Sequence, residues 1–326
     1  MTSVLLIVGG LTALLVGAEL LVRGGTGLAT LLGISPMVIG LTVVSLGTSM
    51  PELAVGIDAA RGGSPGLAVG NIVGTNLVNI LLILGVSALL VPVVFQRRTL
   101  RFDLPAMTGA ALALYVLSLD GTLKRPDGLL LLVGAVAYTW ALLRIGRRDT
   151  ADMTMDATVQ RTDGESAVLG KGGHRPLRDT VALLAGLLLL VLGAEGLVEG
   201  AVSVAQAVGV SEAVIGLTVV AIGTSAPELV TTIVSTLRGD RDLAIGNLLG
   251  SSIYNIAFVL GLTVMVAPQR VPVPHEVLTG DLVLLVVVAI ATVPVFVSGA
   301  RMTRVEGALF AATYLGYLTW LLLVRT

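Results

Sequence analysis

The sequence contains no cysteine and only two histidines, His174 and His275. Without cysteine the chain has no disulfide bond, no thiolate metal site and no cysteine nucleophile. Neither histidine lies in a long apolar run, so a zinc or copper site is not expected. HExxH motifs, EF-hand loops and nucleophile elbows are absent too. The sequence therefore does not indicate an enzyme.

Charged residues are scarce, at 13% of the chain, whereas 55% is hydrophobic and the mean hydropathy is +0.97. Such a composition places the chain in a bilayer. Apolar runs of roughly 16 to 26 residues recur, each about long enough to cross a membrane as a helix. Ten spans are predicted, at 3–22, 35–60, 66–91, 103–119, 127–145, 180–200, 211–237, 242–267, 279–297 and 304–324. No basic stretch precedes the first span, so we expect a retained helix rather than a cleaved signal peptide.

The basic residues are distributed unevenly between alternate loops. Loops that stay in the cytoplasm are enriched in Lys and Arg. If the N-terminus is outside, few of the twenty basic residues face outside, namely Arg61, Lys124, Arg125, Arg270 and Arg325. We therefore predict a multi-pass protein of the cell (plasma) membrane with both termini outside.

One segment, 146–179, is polar and carries charges of both signs. Its composition is typical of a solvated connector. It is predicted to be a flexible cytoplasmic linker, rather than a regulatory ion sensor, between a first membrane half, 1–145, and a second, 180–326.

The two halves contain an internal repeat. Residues 40–85 align without a gap with residues 216–261 at an offset of 176, and 22 of 46 positions are identical. Five predicted spans separate equivalent points, so the second copy crosses the membrane in the opposite direction. The predicted fold is an all-α integral membrane protein of ten transmembrane helices, arranged as two inverted five-helix repeats. Inverted repeats are typical of secondary transporters, whose ion site lies where the repeats meet.

Each repeat places a glutamate directly after a proline in the middle of an apolar helix: GTSMPE ends at Glu52 and GTSAPE ends at Glu228. Proline has no amide hydrogen, so Pro51 leaves the carbonyl of Gly47 without its helical partner, and Pro227 has the same effect in the second copy. Carbonyls freed at membrane depth are tolerated where they face protein, water or a cation. Serine and threonine three and four residues earlier share the helix face of each glutamate.

The helix after each motif carries a polar stripe with a spacing of four residues. The stripe residues are Asn71, Thr75 and Asn79 in the first copy and Asn247, Ser251 and Asn255 in the second. For Asn71 and Asn247, interhelical hydrogen bonding and ion coordination remain equal alternatives, whereas the other four favour coordination. Small residues beside the stripe should let two such helices approach closely. They are Gly70, Gly74, Gly246 and Gly250.

Two carboxylates at membrane depth need compensation, because an ionised Asp at the bilayer centre costs about 2.5–3.5 kcal/mol on insertion scales. Apart from Arg144 and Arg304, at the ends of the fifth and tenth predicted spans, no Lys or Arg lies within the spans to supply it. Two carboxylates with hydroxyl, amide and carbonyl oxygens match the ligands of Ca²⁺ better than the strict octahedron of Mg²⁺. Glu19 and Glu195, near the ends of the first and sixth predicted spans, favour interface or gate positions over ligation. Asp58 suggests a helix-end role or an accessory site.

These motifs, GTSxPE followed by GNxxG[ST] in both halves, resemble the α-repeats of the cation/calcium antiporter superfamily. The spelling is most similar to the prokaryotic type of the sodium/calcium exchanger branch, since proton-coupled exchangers typically carry GNxxE instead. The resemblance implies a secondary active antiporter that exchanges Na⁺ for Ca²⁺ by alternating access, with helices one and six sliding across a core of helices two, three, seven and eight. H⁺/Ca²⁺ exchange, or exchange of another cation for Ca²⁺, is the alternative. An intramembrane enzyme and a passive channel are less favoured.

The resemblance also implies an ion-ligand set, carried by Glu52 and Glu228. The implied backbone carbonyls belong to Thr48, Thr224, Ser45 and Ala221. The implied side-chain oxygens belong to Ser49, Thr75, Ser225, Ser251 and Asn79. Several relatives have Asp where this chain has Asn255, so a third negative charge is missing. Ca²⁺ and Na⁺ are then transported substrates in a lipid bilayer, with no cofactor, nucleic acid or obligate protein partner expected.

Overall fold

The computed structural model describes residues 2–160, 176–209, 221–297 and 299–324. Within these ranges nine helices are long and apolar enough to cross a membrane, which confirms an all-α membrane protein. The seventh predicted span, 211–237, lies partly outside the described residues, and its described part is helical. The count of ten transmembrane helices stays a prediction.

We number the helices in chain order. Their bounds are α1 Thr2–Leu32, α2 Pro36–Arg61, α3 Gly66–Leu90, α4 Thr99–Leu117, α5 Arg125–Gln160, α6 Pro176–Ala207, α7 221–238, α8 Arg241–Val266, α9 277–297 and α10 Arg304–Val324. Several contain a π-helical turn, at Gly40–Val44, Val78–Ile83, Thr99–Asp103, Asn255–Leu260 and Val277–Asp281.

Four two-residue strands form two antiparallel ribbons. The strands are β1 Val93–Val94, β2 Thr122–Leu123, β3 Val271–Pro272 and β4 Arg301–Met302. β1 pairs with β4, and β2 pairs with β3. The loops after α3 and α9 therefore lie on one face of the molecule, and the loops after α4 and α8 lie together elsewhere. This pairing is consistent with helices that cross the membrane alternately.

Helices α1 and α6 are longer than predicted. They have 31 and 32 residues, or about 46–48 Å at about 1.5 Å per residue, which exceeds a bilayer core of about 30 Å. Helices of this length tilt or extend beyond the hydrocarbon. Glu19 and Glu195, near the ends of the predicted spans, therefore lie well inside α1 and α6, because residues beyond each apolar run continue the helix. Their interface or gate role stays a prediction.

Part of the predicted linker is also helical. Helix α5 continues to Gln160, and α6 begins at Pro176. The segment 146–160 therefore extends α5, against the expectation of a flexible connector there, because none of its residues breaks the helix. Residues 161–175, in the middle of the predicted linker, lie outside the described residues.

Glycines at intervals of seven bring α1 and α6 into close contact. On α1, a Cβ at Gly17 would lie 2.9 Å from the carbonyl oxygen of Gly186 and 2.9 Å from the backbone nitrogen of Leu190. On α6, a Cβ at Gly193 would lie 2.9 Å from the carbonyl oxygen of Gly10. The backbones touch, as in small-residue packing of membrane helices. Helices α1 and α6 therefore form one tightly packed pair.

The most deeply buried helices are α3 and α8, which pack with α2 and α7 at the centre of the molecule. A Cβ at Gly246 would lie 2.6 Å from the carbonyl oxygen of Met37, and one at Gly250 would clash with the Ser45 hydroxyl. The glycines beside the α8 stripe thus allow α2 to pack closely against α8. The expectation that they bring the two striped helices together was wrong, because these glycines face the broken helix of the opposite repeat.

Two buried aspartates lie outside the repeat motifs. Tyr138 Oη donates a hydrogen bond to Asp103 Oδ1 at 3.0 Å, and Tyr317 Oη donates one to Asp281 Oδ1 at 3.0 Å. The first bond joins α5 to α4, and the second joins α10 to α9. The outer helices of the two halves are therefore held by equivalent bonds.

Candidate ion-binding site

Both GTSxPE motifs break their helix at the serine. Ser49 has φ −84° and ψ 7° between helical segments Ser45–Thr48 and Met50–Arg61. Ser225 has φ −84° and ψ 4° between Ala221–Thr224 and Ala226–Arg238. The break that the proline predicts is confirmed in both halves, with nearly identical backbone geometry.

Glu52 and Glu228 lie in the first turn of the helical segment that follows each break. Amide groups at a helix N-terminus stabilise negative charge, so each break provides a favourable position for a carboxylate. Both side chains are fully buried, and they lie close enough for their charges to repel each other. The structure thus brings the two predicted carboxylates together at the centre of the molecule.

The surroundings of Glu228 come largely from other helices. The hydroxyls of Thr48 and Ser49 on α2, and that of Ser251 on α8, lie near enough to stabilise its negative charge. None of these residues is adjacent to Glu228 in the sequence. Residues of both repeats are therefore needed to build one site.

Thr48 links the two repeats directly. Its hydroxyl lies 3.2 Å from Asn247 Oδ1, to which it donates, and 3.3 Å from the Ser251 hydroxyl. Asn247 therefore has its side-chain oxygen bonded across helices, which favours the structural interpretation left open for it. The Ser45 carbonyl accepts a hydrogen bond from Ser49 N at 3.1 Å, and Thr48 Oγ1 lies 3.3 Å from it, so the single Thr48 hydroxyl hydrogen can bond either this carbonyl or Asn247 Oδ1. The ligand role of the Ser45 carbonyl stays a prediction.

The last asparagine of each polar stripe lies in a π-helical turn. Asn79 lies in Val78–Ile83 and Asn255 in Asn255–Leu260. Both side chains are fully buried, and neither amide group has a hydrogen-bond partner among the described residues. π-Turns are frequent at functional sites because they displace a side chain from the regular helical position. The side-chain amides of Asn79 and Asn255 are therefore available to bind an ion or a water molecule.

The remaining predicted ligands are less fully defined. Thr75, Thr224 and Ser225 are all buried, and Thr224 directly precedes the break of α7 at Ser225. Ala221 begins the described part of α7, and only its backbone position is defined. The side chain of Asn71 has a buried amide nitrogen without a partner in the described chain. For all of these residues, ion coordination stays a prediction.

The buried oxygens fit a hard cation. Within the described residues, no oxygen of Glu52 or Glu228, and no polar atom of the Asn79 or Asn255 side chains, has a hydrogen bond of normal length and angle. Unpaired polar atoms in a protein interior are costly, and unpaired charges are more so. A cation among them would satisfy several at once, with the carboxylate and neutral oxygen ligands that Ca²⁺ takes.

Two features of α7 were not predicted. The hydroxyls of Thr231, Thr232 and Ser235 continue the face of Glu228, and Arg238 at the helix end forms an ion pair with Glu19 of α1. Spacings of three and four from Glu228 would have identified the hydroxyls. The repeat pattern does not predict them, because their counterparts in the first repeat carry no hydroxyl group. The ion pair depends on tertiary packing and leaves no sequence signal.

Comparison with known proteins agrees with this architecture. The family model described as "Sodium/calcium exchanger protein" matches residues 2–144 and 179–323. The inner membrane protein YrbG of Escherichia coli is 36% identical over 82% of this chain and 80% of its own length. The sodium/calcium exchanger MaX1 of Methanosarcina acetivorans is 30% identical over 96% of this chain and 97% of its own.

A solved structure shares the whole fold. The sodium/calcium exchanger from Methanococcus jannaschii superimposes with a TM-score of 0.81 at 27% sequence identity. The alignment covers 98% of both chains. The similarity therefore extends over both halves and is not confined to the repeat motifs.

Proposed function

This chain belongs to the sodium/calcium exchanger protein family, and from that premise we propose that it is a secondary active antiporter exchanging Na⁺ for Ca²⁺. The observation that carries the proposal is the pair of fully buried carboxylates, Glu52 and Glu228, at two equivalent helix breaks. Two carboxylates neutralise one Ca²⁺, and the surrounding neutral oxygens can replace its hydration shell.

Competition for this pair would couple the two ions. One Ca²⁺ or several Na⁺ occupy the same carboxylates, so the two loads exclude each other. When the site is empty, two unneutralised buried charges face each other, which penalises occlusion of the unloaded carrier. The protein then switches between its outward-facing and inward-facing states mainly when an ion is bound. That restriction produces exchange rather than leak.

We also propose where the protein lies in the cell and how it is oriented in the membrane. We place the protein in the plasma membrane with both termini outside and the 146–179 segment in the cytoplasm. Ca²⁺ and Na⁺ are its substrates, without a cofactor, a nucleic acid or an obligate protein partner. Helices α1 and α6, already packed as one pair, are the natural moving unit against α2, α3, α7 and α8.

Proton exchange is the second candidate, and one observation favours it. Neither carboxylate has a basic hydrogen-bond partner in the described residues, so neutralisation requires either a cation or a proton. In that reaction Glu52 and Glu228 would alternate between Ca²⁺ and protons. The same geometry serves both schemes, and only the driving ion distinguishes them.

We expect Ca²⁺ uptake into proteoliposomes to be driven by an outward Na⁺ gradient. The measurement is ⁴⁵Ca²⁺ accumulation by Na⁺-loaded vesicles diluted into Na⁺-free buffer, because exiting Na⁺ releases the carboxylates for Ca²⁺. K⁺-loaded vesicles and vesicles with only a pH gradient are the controls. Uptake driven by the pH gradient alone would replace Na⁺ with H⁺ in the proposal, and uptake in none of the three would refute antiport of Ca²⁺.

Replacing Asn255 by Asp is expected to lower the Ca²⁺ concentration for half-maximal exchange by about tenfold or more. The new carboxylate would add a third charge beside a divalent ion, and at an effective dielectric constant of about 20 one pair of unit charges at 4 Å interacts by about 4 kcal/mol before desolvation. Gln206→Glu, an exposed position on α6, adds the same charge and is the control. Equal half-saturation in Asn255→Asp and wild type would show that Asn255 does not face the ion.

A further inference from the structure

One face of α7 carries hydroxyl groups from Glu228 toward the end of the helix at Arg238. Thr231, Thr232 and Ser235 follow Glu228 at intervals of three, four and seven residues, so they share its face. Their exposed fractions are 0%, 1% and 0%. The face leads away from the two carboxylates without leaving the interior of the protein.

These hydroxyls differ from most others in the membrane helices. Serine and threonine within a helix commonly bond the carbonyl four residues earlier, and Thr42, Thr139, Ser252 and Thr263 do so here at 2.6–3.0 Å. By contrast, Thr231 Oγ1, Thr232 Oγ1 and Ser235 Oγ have no hydrogen-bond partner among the described residues. Three adjacent buried hydroxyls are thus available to something that the chain itself does not provide.

The repeat shows that this polarity is not needed for the fold. At the offset of 176, Thr231, Thr232 and Ser235 correspond to Val55, Gly56 and Ala59 on α2. The equivalent helix in the other half therefore folds without hydroxyl groups at these positions. The hydroxyls are specific to the half of the molecule that follows Glu228.

A small cavity adjoins the hydroxyl face. It has a volume of about 10 Å³ and is lined mainly by apolar side chains, although Ser87, Thr232, Thr236 and Arg241 also border it. This is roughly the volume occupied by one water probe. Ser87 on α3 and Thr236 share a hydrogen bond of 2.8 Å between their hydroxyls. The Ser87–Thr236 hydrogen bond therefore lies beside the hydroxyl face, next to a small and mainly apolar space.

Charged groups lie at the far end of this face, where α7 ends. Arg238 is paired with Glu19 on α1, and Glu19 is also 2.6 Å from Arg23. Asp240 and Asp242 follow at the turn into α8, where Gln96 Nε2 donates to Asp242 Oδ2 at 2.8 Å. That bond shows that the loop after α3 and the end of α7 lie on the same face of the molecule. The Glu19–Arg238 ion pair therefore connects α1 to α7 at this end of the molecule. The two helices also pack directly against each other.

We propose that Thr231, Thr232 and Ser235 line the route by which the transported cation passes between the Glu52–Glu228 site and the Arg238 face. The hydroxyls replace water around a partly dehydrated cation, and the Glu19–Arg238 ion pair closes the route in this conformation. The inference rests on the proposed antiport, because it describes one of the two access paths that antiport requires. The proposed topology makes this the cytoplasmic path.

The absence of cysteine makes every introduced cysteine unique in this chain. We would modify Thr232→Cys and Ser235→Cys in proteoliposomes with a membrane-impermeant cationic thiosulfonate, applied from one side at a time. Arg97→Cys and Arg270→Cys, which are both exposed and which the proposed topology places on opposite sides of the membrane, report which side is reached. Ala59→Cys is the matched control, because it occupies the equivalent position of the other repeat.

We expect Ser235→Cys and Thr232→Cys to react only from the side that modifies Arg97→Cys, and more slowly in saturating Ca²⁺. Adding Arg238→Gln should raise the reaction rate about two- to fivefold, the change expected for loss of a partly exposed ion pair. Ala59→Cys should not react from the Arg97 side. No reaction at positions 232 and 235 from that side, or equal reaction from both sides, would overturn the route.

Transport by a triple variant gives a second test. Thr231→Val with Thr232→Val and Ser235→Ala should lower the exchange rate about tenfold through lost hydroxyl contacts. Ser252→Ala, a buried hydroxyl on α8 that bonds its own helix, should remain near wild type. A folded triple variant with wild-type exchange would overturn the proposal. If the wild-type protein shows no Ca²⁺ exchange but Thr232→Cys and Ser235→Cys still react from one side only, the proposed function is refuted. The accessibility of the hydroxyl face from that side would then still hold.

Discussion

Replacing either Glu52 or Glu228 by Gln is expected to reduce Na⁺-driven Ca²⁺ uptake about 100-fold or more. Removing one partner of a buried, closely matched charge interaction costs about 3–5 kcal/mol, and each carboxylate supplies half of the charge that neutralises Ca²⁺. Glutamine preserves the size of the side chain and one oxygen, so the loss would come from charge. Uptake of ⁴⁵Ca²⁺ into Na⁺-loaded proteoliposomes measures it.

The glutamine variants should remain folded, which separates this result from misfolding. Two buried carboxylates repel each other without a bound cation, so neutralising one should leave the melting temperature in Ca²⁺-free detergent unchanged or higher. Glu195→Gln, at an exposed position on α6, is the matched control and should transport normally. Wild-type uptake in Glu52→Gln or Glu228→Gln would refute the assignment of these residues to the ion site.

The second large effect is expected at the contact between α1 and α6. In Gly17→Leu the new Cβ would lie 2.9 Å from two backbone atoms of α6, the Gly186 oxygen and the Leu190 nitrogen. Backbone atoms cannot move aside as a flexible side chain can, so the helices must separate. Overpacking of this kind typically costs about 1–3 kcal/mol, and separation also loses the contacts along the glycine faces.

We expect Gly17→Leu to lower both the melting temperature in detergent and the exchange rate. Gly9→Leu is the control on the same helix, because a Cβ at Gly9 meets nothing within 4 Å in the described structure. Gly17→Ala should give an intermediate effect, since its single methyl group already makes the close backbone contacts. Equal melting temperatures for Gly17→Leu and Gly9→Leu would show that the two helices do not pack this closely.

The position of the helix breaks was predictable because its cause is local. Proline removes an amide hydrogen wherever the chain folds as a helix, so Pro51 and Pro227 predict interruptions at membrane depth. The structure has them at Ser49 and Ser225. The all-helical membrane fold was equally predictable, because the backbone of an apolar segment must satisfy its own hydrogen bonds in a bilayer.

Helix lengths were less predictable. Apolar composition marks the part of α1 and α6 that suits hydrocarbon, but the helices continue through polar residues that no proline or glycine cap interrupts. Glu19, near the end of the predicted span, therefore lies in the middle of α1. Its partner, Arg238, lies 219 residues away, and no periodicity connects two such positions.

The sequence alone determined the repeat, the membrane fold and the pair of carboxylates, because each follows from local backbone chemistry or from residue identity at a constant offset. The tertiary structure decided which groups meet. It placed Thr48 and Ser251 near Glu228, directed the α8 glycines toward α2, and put three hydroxyls along α7 that have no hydrogen-bond partner in the described part of the chain. These contacts depend on how whole helices pack, and the energy of packing belongs to pairs of surfaces rather than to any one segment of the chain.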